Sequence, residues 1–267
     1  MSLEELTTKL TAYFNADDYD SCSKILPLIK IELIKNNLLI PSLTTKKNPN
    51  DLIITRSILE IGALVSINLL NLKDFSNYIT QLKTFYDLVN ILPESQNKNK
   101  LLSLYLLLLL TQGDLALFHI ELERFNNFGL SVDELERDEF LSIPIKFEKW
   151  IIDGSFNKVY ELLSSKHNFP CKEFNLFEKD SLDSIRLTIA TNIESGYPSL
   201  PLENLKLLLF LKNLSDVNYY IDQMNWTVEN GIIYFNNNLN DLDDEIKDEK
   251  LIVKNSSGYA KEMESII

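Results

Sequence analysis

The stretch Leu202–Asn236, LENLKLLLFLKNLSDVNYYIDQMNWTVENGIIYFN, decides the fold. Its first part, Glu203–Leu211, sets Leu205 and Leu207–Phe210 on one broad apolar face, and the segment Asn213–Asp216 breaks it with a cap-like Ser215-Asp216 pair. Val217, Tyr220, Ile221 and Met224 then recur at helical spacing. After Asn225-Trp226 comes Thr227–Phe235, with Asn230-Gly231 at its middle. Asn-Gly supplies the two positive-φ residues of a type I′ turn, and β-branched and aromatic residues flank it on both sides. The pattern predicts two helices followed by a tight hairpin, the outline of a winged-helix module.

Upstream, from Leu3 to about Leu211, helix follows helix across short polar turns. One unit recurs: a polar residue after a turn, a large apolar residue, and further apolar residues three and seven positions on. Its copies are Asp18-Tyr19, Cys22, Leu26; Asp74-Phe75, Tyr78, Leu82; Asp114-Leu115, Phe118, Leu122; and Ser155-Phe156, Val159, Leu163. From the second copy the spacing is about 40 residues, the period of helical-repeat arrays. Asp or Ser before the first apolar residue suits a helix N-terminus, where free N–H groups need an acceptor. Partner helices precede each unit at Leu3–Phe14, Asp51–Leu70, Asn99–Leu110 and Glu139–Ile152. Such pairs bury their faces only by stacking, which predicts a mostly α protein built on a right-handed helical-repeat (TPR-like) solenoid. The segment Asn36–Asn50, with Pro41 and Pro49, reads as an inserted loop, and Ser164–Lys179 as irregular. A helix over Ser181–Ile193 and a turn over Ser195–Pro201 lead into the deciding stretch.

Downstream the composition changes. Asp241–Lys250 holds six acidic residues against two lysines and reads as a solvated linker. Leu251–Ile267 regains helical patterning, with Tyr259, Ala260, Met263, Ile266 and Ile267 on one side. An amphipathic helix tethered by an acidic linker fits a groove in another protein.

With 267 residues, 45% of them hydrophobic, and only seven glycines, the chain can bury a sizeable, largely helical core. The net charge of −13 works against nucleic acids and anionic membranes. Leu101–Leu110 is the greasiest run, too short for the ~20 residues of a membrane helix, and is expected to be a buried helix. Without a basic n-region or an apolar h-region at Met1–Glu5, the expected compartment is the cytosol or nucleus. Cys22 and Cys171 are then expected as buried free thiols.

Catalysis needs convergent polar groups, and few are on offer. His119 shares a helical face with Glu123 but lacks a third ligand, and His167 with Cys171 has metal-like spacing around Pro170 without a second pair. No G-x-S-x-G, Walker-type loop or G-x-G-x-x-G is present. The expectation is no enzyme, no metal and no cofactor. Duplex recognition is also disfavoured: Ser215–Trp226 contains Asp216 and Asp222 without a lysine or arginine, and the hairpin adds Glu229. What the hairpin offers is Ile232, Ile233, Tyr234, Phe235 and an edge strand; alternation sends half of these inward as core, and the remainder, with the unpaired edge, suits sheet extension by a neighbouring subunit.

A helical-repeat body, a winged helix and a tethered terminal helix together resemble the PCI family, which comprises subunits of the proteasome lid, the COP9 signalosome and translation initiation factor three. The segments Ile29–Pro41 (IKIELIKNNLLIP), Ile58–Leu64 (ILEIGAL), Lys100–Leu106 (KLLSLYL), Ser142–Lys146 (SIPIK) and Tyr234–Asn237 (YFNN) resemble the proteasome-lid branch, in a fungal version. The resemblance implies a non-catalytic scaffold in a hetero-oligomeric complex. It implies a solenoid over 1–200, a winged-helix (PCI) module over 201–237, an acidic linker over 238–250 and a partner-binding helix over 251–267. Its partners would be other PCI lid subunits, meeting edge to edge in a horseshoe, the lid helical bundle, and the ATPase base, on which the lid docks once the terminal helix signals completion. Nucleic acid and membrane are not among them. Contact residues would be Ile232, Tyr234 and Phe235 on the wing and Ile252, Tyr259, Met263, Ile266 and Ile267 on the terminal helix. A PCI subunit of the signalosome or of initiation factor three, and a PCI protein of messenger RNA export, stay open as alternatives.

Overall fold

A computed structural model describes residues 3–39, 41, 48–88, 92–127, 132–164, 169–235 and 256. The expected acidic linker, and the terminal-helix residues Ile252, Tyr259, Met263, Ile266 and Ile267, lie outside the described residues. The chain divides into two compact units, Met1–Ile185 and Arg186–Ile267.

The first unit contains α1 (Leu3–Asn15), α2 (Tyr19–Lys35), α3 (Pro49–Asn68), α4 (Leu72–Tyr86), α5 (Lys98–Gln112), α6 (Leu115–Asn127), α7 (Val132–Arg137), α8 (Ser142–Ile152), α9 (Phe156–Ser164), a 3-10 helix (Lys172–Phe177) and the first half of α10 (Glu178–Gly196). Helices pack as pairs, α1 on α2, α3 on α4, α5 on α6 and α8 on α9, and the pairs meet through α2 with α3, α4 with α5, and α5 with α8. As expected from its unbroken apolar run, α5 is buried all round, from Leu101 through Leu110. Among the described residues, no helix is long and apolar enough to cross a membrane.

The same turn joins all four pairs. Asp17, Leu70, Gly113 and Gly154 take positive φ of 55°, 57°, 79° and 68°. The next residue then donates its N–H five residues back: Asp18 to Tyr13 O at 3.1 Å, Asn71 to Ser66 O at 2.9 Å, Asp114 to Leu109 O at 3.0 Å and Ser155 to Trp150 O at 2.8 Å. This is the left-handed helix ending that satisfies carbonyls otherwise left without a donor. Four residues on stand Cys22, Phe75, Phe118 and Val159, all fully buried. The second copy of the repeat therefore needs a correction of register. Its cap is Asn71, whose side chain accepts from the N–H of Asp74, so Phe75 corresponds to Cys22 and not to Tyr19.

Two further differences have local causes. Helix α8 starts at Ser142 instead of Glu139, because Asp138 Oδ1 accepts from the N–H groups of Phe140 and Leu141 at 2.9 and 3.0 Å and holds them out of the helix. Pro144 then falls in the first turn, where no N–H donor is needed. Within Ser164–Lys179, expected to be irregular, Phe174 and Phe177 are buried on the 3-10 helix.

The second unit holds the rest of α10, then β1 (Ser199–Pro201), α11 (Leu202–Leu208), α12 (Leu214–Met224), β2 (Thr227–Glu229) and β3 (Ile232–Tyr234). Asn230 and Gly231 turn the hairpin with φ of 51° and 80°, as the type I′ reading requires. The strand β1 was expected as a turn. It pairs antiparallel with β3 and gives a three-stranded sheet of order β1-β3-β2. Its proline, Pro201, is tolerated because β1 lies at the sheet edge. This pairing places residues before 201 in the sheet of the second unit, which begins at Arg186 within α10.

Candidate partner-binding surface

In an antiparallel sheet, directly opposed residues share a face and successive residues alternate. The register places Leu200, Ile233 and Val228 in one row, flanked by the rows Ser199, Tyr234, Thr227 and Pro201, Ile232, Glu229. The first row faces the core: Ile233 and Leu200 are buried, while Val228 at the edge stays half exposed. The other rows face outward, and there Ile232 and Tyr234 are 37% and 42% exposed. Two large side chains of one strand thus stand on the outer face, framed by Ser199, Thr227, Pro201 and Glu229.

Phe235 behaves differently from these two. Alternation turns it inward, where it is 7% exposed and meets Trp226 edge-on at 4.9 Å between ring centroids. Its N–H donates to Pro198 O at 3.2 Å. Phe235 is a core residue of this unit. The edge reading also shifts. Ile232 and Tyr234 lie on the central strand, paired on both sides, so the edges are β2 and β1. On β1, Pro201 has no N–H to offer an added strand, which leaves β2 as the more open edge among the described residues.

The helices beneath are set by the same unit. Leu205, Leu209 and Val217 are fully buried, and Arg186 on α10 donates Nε–H to Leu209 O at 3.1 Å and Nη2–H to Phe210 O at 3.4 Å. The guanidinium thereby serves carbonyls at the end of α11, where Phe210 turns the chain with φ of 52°. The outward side of α12 shows Asp216, Tyr219 and Asp222. From Asn213 through Phe235 the chain has no lysine or arginine. A polyphosphate backbone would meet repulsion here without compensation.

The residues weighed for chemistry lie apart. His119 turns to Glu148 on α8, Nε2 to Oε1 at 3.4 Å, instead of pairing with Glu123. Burial holds the Glu148 carboxyl above its usual range, against the opposing pull of His119. Cys22 is buried, and burial raises its thiol; Cys171 is half-buried, and burial pushes its thiol up to about 12. His167 lies outside the described residues, and among those described no group of three or more His, Cys, Asp or Glu is placed to hold a metal ion.

These features define a mostly helical protein with a small antiparallel sheet, which carries apolar and acidic side chains on the outward sides of its sheet and of α12. The chain belongs to the CSN8/PSMD8/EIF3K family, whose sequence profile matches residues 96–245, more than half of its length. It is 43% identical over 276 residues, 100% of this chain and 99% of the relative, to the 26S proteasome regulatory subunit RPN12 of Saccharomyces cerevisiae. It is 32% identical over 236 residues to the 26S proteasome regulatory subunit rpn12 of Schizosaccharomyces pombe, covering 88% of this chain and 83% of that one. Against the 26S proteasome non-ATPase regulatory subunit 8 homolog A of Arabidopsis thaliana it is 27% identical over 263 residues, 97% of this chain and 95% of that one.

Of the expected contact residues, the sheet brings Ile232 and Tyr234 together on one surface and takes Phe235 into the core. The strict alternation of a strand already contained that division. Strand β1 was missed because three residues with a proline carry almost no strand signal of their own.

Proposed function

We propose that this chain is a non-catalytic structural subunit of the lid of the proteasome 19S regulatory particle, acting in ubiquitin-dependent protein degradation. The observation that carries this reading is the identity of 43% along the whole of this chain and nearly the whole of a relative named as a 26S proteasome regulatory subunit. A borrowed module would leave the remainder unmatched. The fine architecture belongs to the same proposal. Repetition of one turn through four helical pairs supports a right-handed solenoid over 1–200, and two helices leading into a hairpin support a winged helix over 201–237. The acidic stretch 238–250 then serves as tether for a partner-binding helix over 251–267.

In this reading the protein works by contact, as one member of a hetero-oligomer in cytoplasm and nucleus, without cofactor or reaction of its own. Ile232 and Tyr234 meet a neighbouring PCI subunit, and Ile252, Tyr259, Met263, Ile266 and Ile267 enter the lid helical bundle. Each large side chain fully buried there contributes roughly 1.5–3 kcal/mol, offset in part by the entropy of ordering the tail. A groove that exists only when the other subunits are assembled makes the terminal helix a reporter of completeness before the lid joins the ATPase base.

The test is a tagged pull-down from native extract, comparing the full chain with a version ending at Lys250. Recovery of lid and ATPase-base subunits by the full chain, with loss on truncation, is the expected outcome. Recovery of signalosome or initiation-factor subunits in their place would move the chain to another branch of its family. Recovery of none of these would sink the scaffold reading.

A further inference from the structure

The segment 169–177 is better anchored than a connection needs to be. Its 3-10 helix, Lys172–Phe177, packs on both α3 and α5. Phe174 and Phe177 are 1% and 3% exposed, and Phe169 stacks on Phe174 with centroids 5.8 Å apart and ring planes 13° apart. Lys100, near the start of α5, donates Nζ–H to Glu173 Oε1 at 2.7 Å, across a sequence separation of 73 residues. Both side chains of that pair are largely buried, with 19% and 15% of their surface exposed.

What holds this segment differs from what holds the helices beneath it. A 3-10 helix has poorer hydrogen-bond geometry than an α-helix, and Pro170 removes one donor just before it. Its side-chain hold on the unit includes Phe169, Phe174 and Phe177 and the Lys100–Glu173 ion pair. By contrast, α5 buries ten consecutive residues, Leu101–Leu110. A short element held through a few side chains can open locally as one piece while the core stays folded. A largely buried ion pair is also all-or-none in character, since either partner alone is a costly uncompensated charge.

We propose that 169–177 is a strap that closes over α3 and α5 and opens as a unit, with the Lys100–Glu173 ion pair as its latch. Closed, it ties the first helices of the second and third pairs to a segment arriving from beyond the fourth. Opened, it uncovers the apolar sides of α3 and α5 under Phe174 and Phe177 and lets those pairs adjust against each other. Glu121, paired with both Lys83 and Arg124, links α4 to α6, so the strap is not the sole tie among the pairs.

Cys171 reports on the latch. Its thiol is raised first by burial; Lys100 opposes that rise and Glu173 adds to it. In the full chain, alkylation of Cys171 by iodoacetamide is followed by mass spectrometry, with the buried Cys22 as internal reference. In Lys100→Ala two effects have opposite sign. Loss of the cation alone raises the thiol further and slows alkylation, whereas release of the strap speeds it. The expected result is alkylation of Cys171 faster by roughly tenfold or more, with Cys22 unchanged and Lys100→Arg close to the unsubstituted rate. Alkylation that is unchanged or slower in Lys100→Ala overturns the proposal, as does equal acceleration of Cys22, which marks loss of the whole unit. A second measurement needs no variant: backbone amides of 172–177 are expected to exchange with deuterium well before those of Leu101–Leu110. Exchange of both at one rate also overturns the strap.

Discussion

At Gly62 a single hydrogen atom sets how closely α3 and α4 approach. A methyl group there would lie 2.7 Å from Tyr78 Cε1 and 2.9 Å from Cζ. The ring has little room to retreat, because it is 5% exposed and carries Lys30 Nζ 3.6 Å above its centroid. Two effects compete in Gly62→Ala: helix propensity favours alanine by ~1 kcal/mol, and overpacking costs ~1–3 kcal/mol. Since the obstacle is a clamped ring, overpacking is expected to win, and the denaturation midpoint should fall by an amount equivalent to up to ~2 kcal/mol. A gain in stability would mean that the ring moves freely. The same tyrosine makes a pH prediction. Burial first, then Asp74, pushes its phenol from 10.0 up to about 12. A group with a folded pKa above its unfolded value contributes stability that is complete below the unfolded value and is lost as pH rises through the folded one. The urea midpoint should therefore drop between about pH 10 and 12, and Tyr78→Phe should flatten that drop, leaving the shares of the other raised phenols, Tyr86 most of all.

The helical pair α3–α4 shows what periodicity conveys about an element and what it hides. Apolar spacing located the helices, because three and four residue steps bring side chains to one side whatever the turn does. It misplaced the cap in this pair and also at α12, where the cap is Asn213 and the expected pair Ser215-Asp216 falls inside the first turn. Asp74-Phe75 imitates Asp114-Leu115, yet the helix begins at Leu72 and is capped by Asn71, with Asp74 inside the first turn. The distinction rests on Leu70 adopting a positive φ, which nothing in a leucine announces. Two outcomes follow from the corrected register. Asn71→Ala should cost about 1 kcal/mol as a lost cap, and Asp74→Ala a few tenths as a lost dipole partner; equal losses in thermal melts would restore the original register. Leu70 is 60% exposed at φ 57°, where the equivalent turns use Gly113 and Gly154. Leu70→Gly should thus raise stability by about 1 kcal/mol by removing a left-handed strain of ~1–2 kcal/mol.

For the molecule as a whole, the helical class was legible because 3.6-residue periodicity persists over most of the chain, and the hairpin was legible because Asn230-Gly231 is unusually explicit. The third strand was not, since β1 exists only through its pairing with β3, a contact between residues far apart in sequence. That pairing decides how the surface must be tested. Without β1, Ile232, Tyr234 and Phe235 all belong to an edge strand; with it, β3 is central, and alternation leaves Ile232 and Tyr234 outward and Phe235 in the core. Substituting Ile232→Ser and Tyr234→Ser together removes apolar surface that is already partly in water, so the melting temperature and circular dichroism of the isolated protein should scarcely change. Phe235→Ala instead empties a site against Trp226 and should cost ~3–5 kcal/mol, enough to disrupt the second unit. Both variants are expected to lose co-purifying subunits from native extract, but for different reasons: the double variant as a folded protein lacking its contact, Phe235→Ala as a protein whose second unit has come apart. If the double variant retains its partners while Phe235→Ala loses them, the outer face of the sheet is not the contact, and the search moves to the open edge at Thr227–Glu229 and the exposed side of α12.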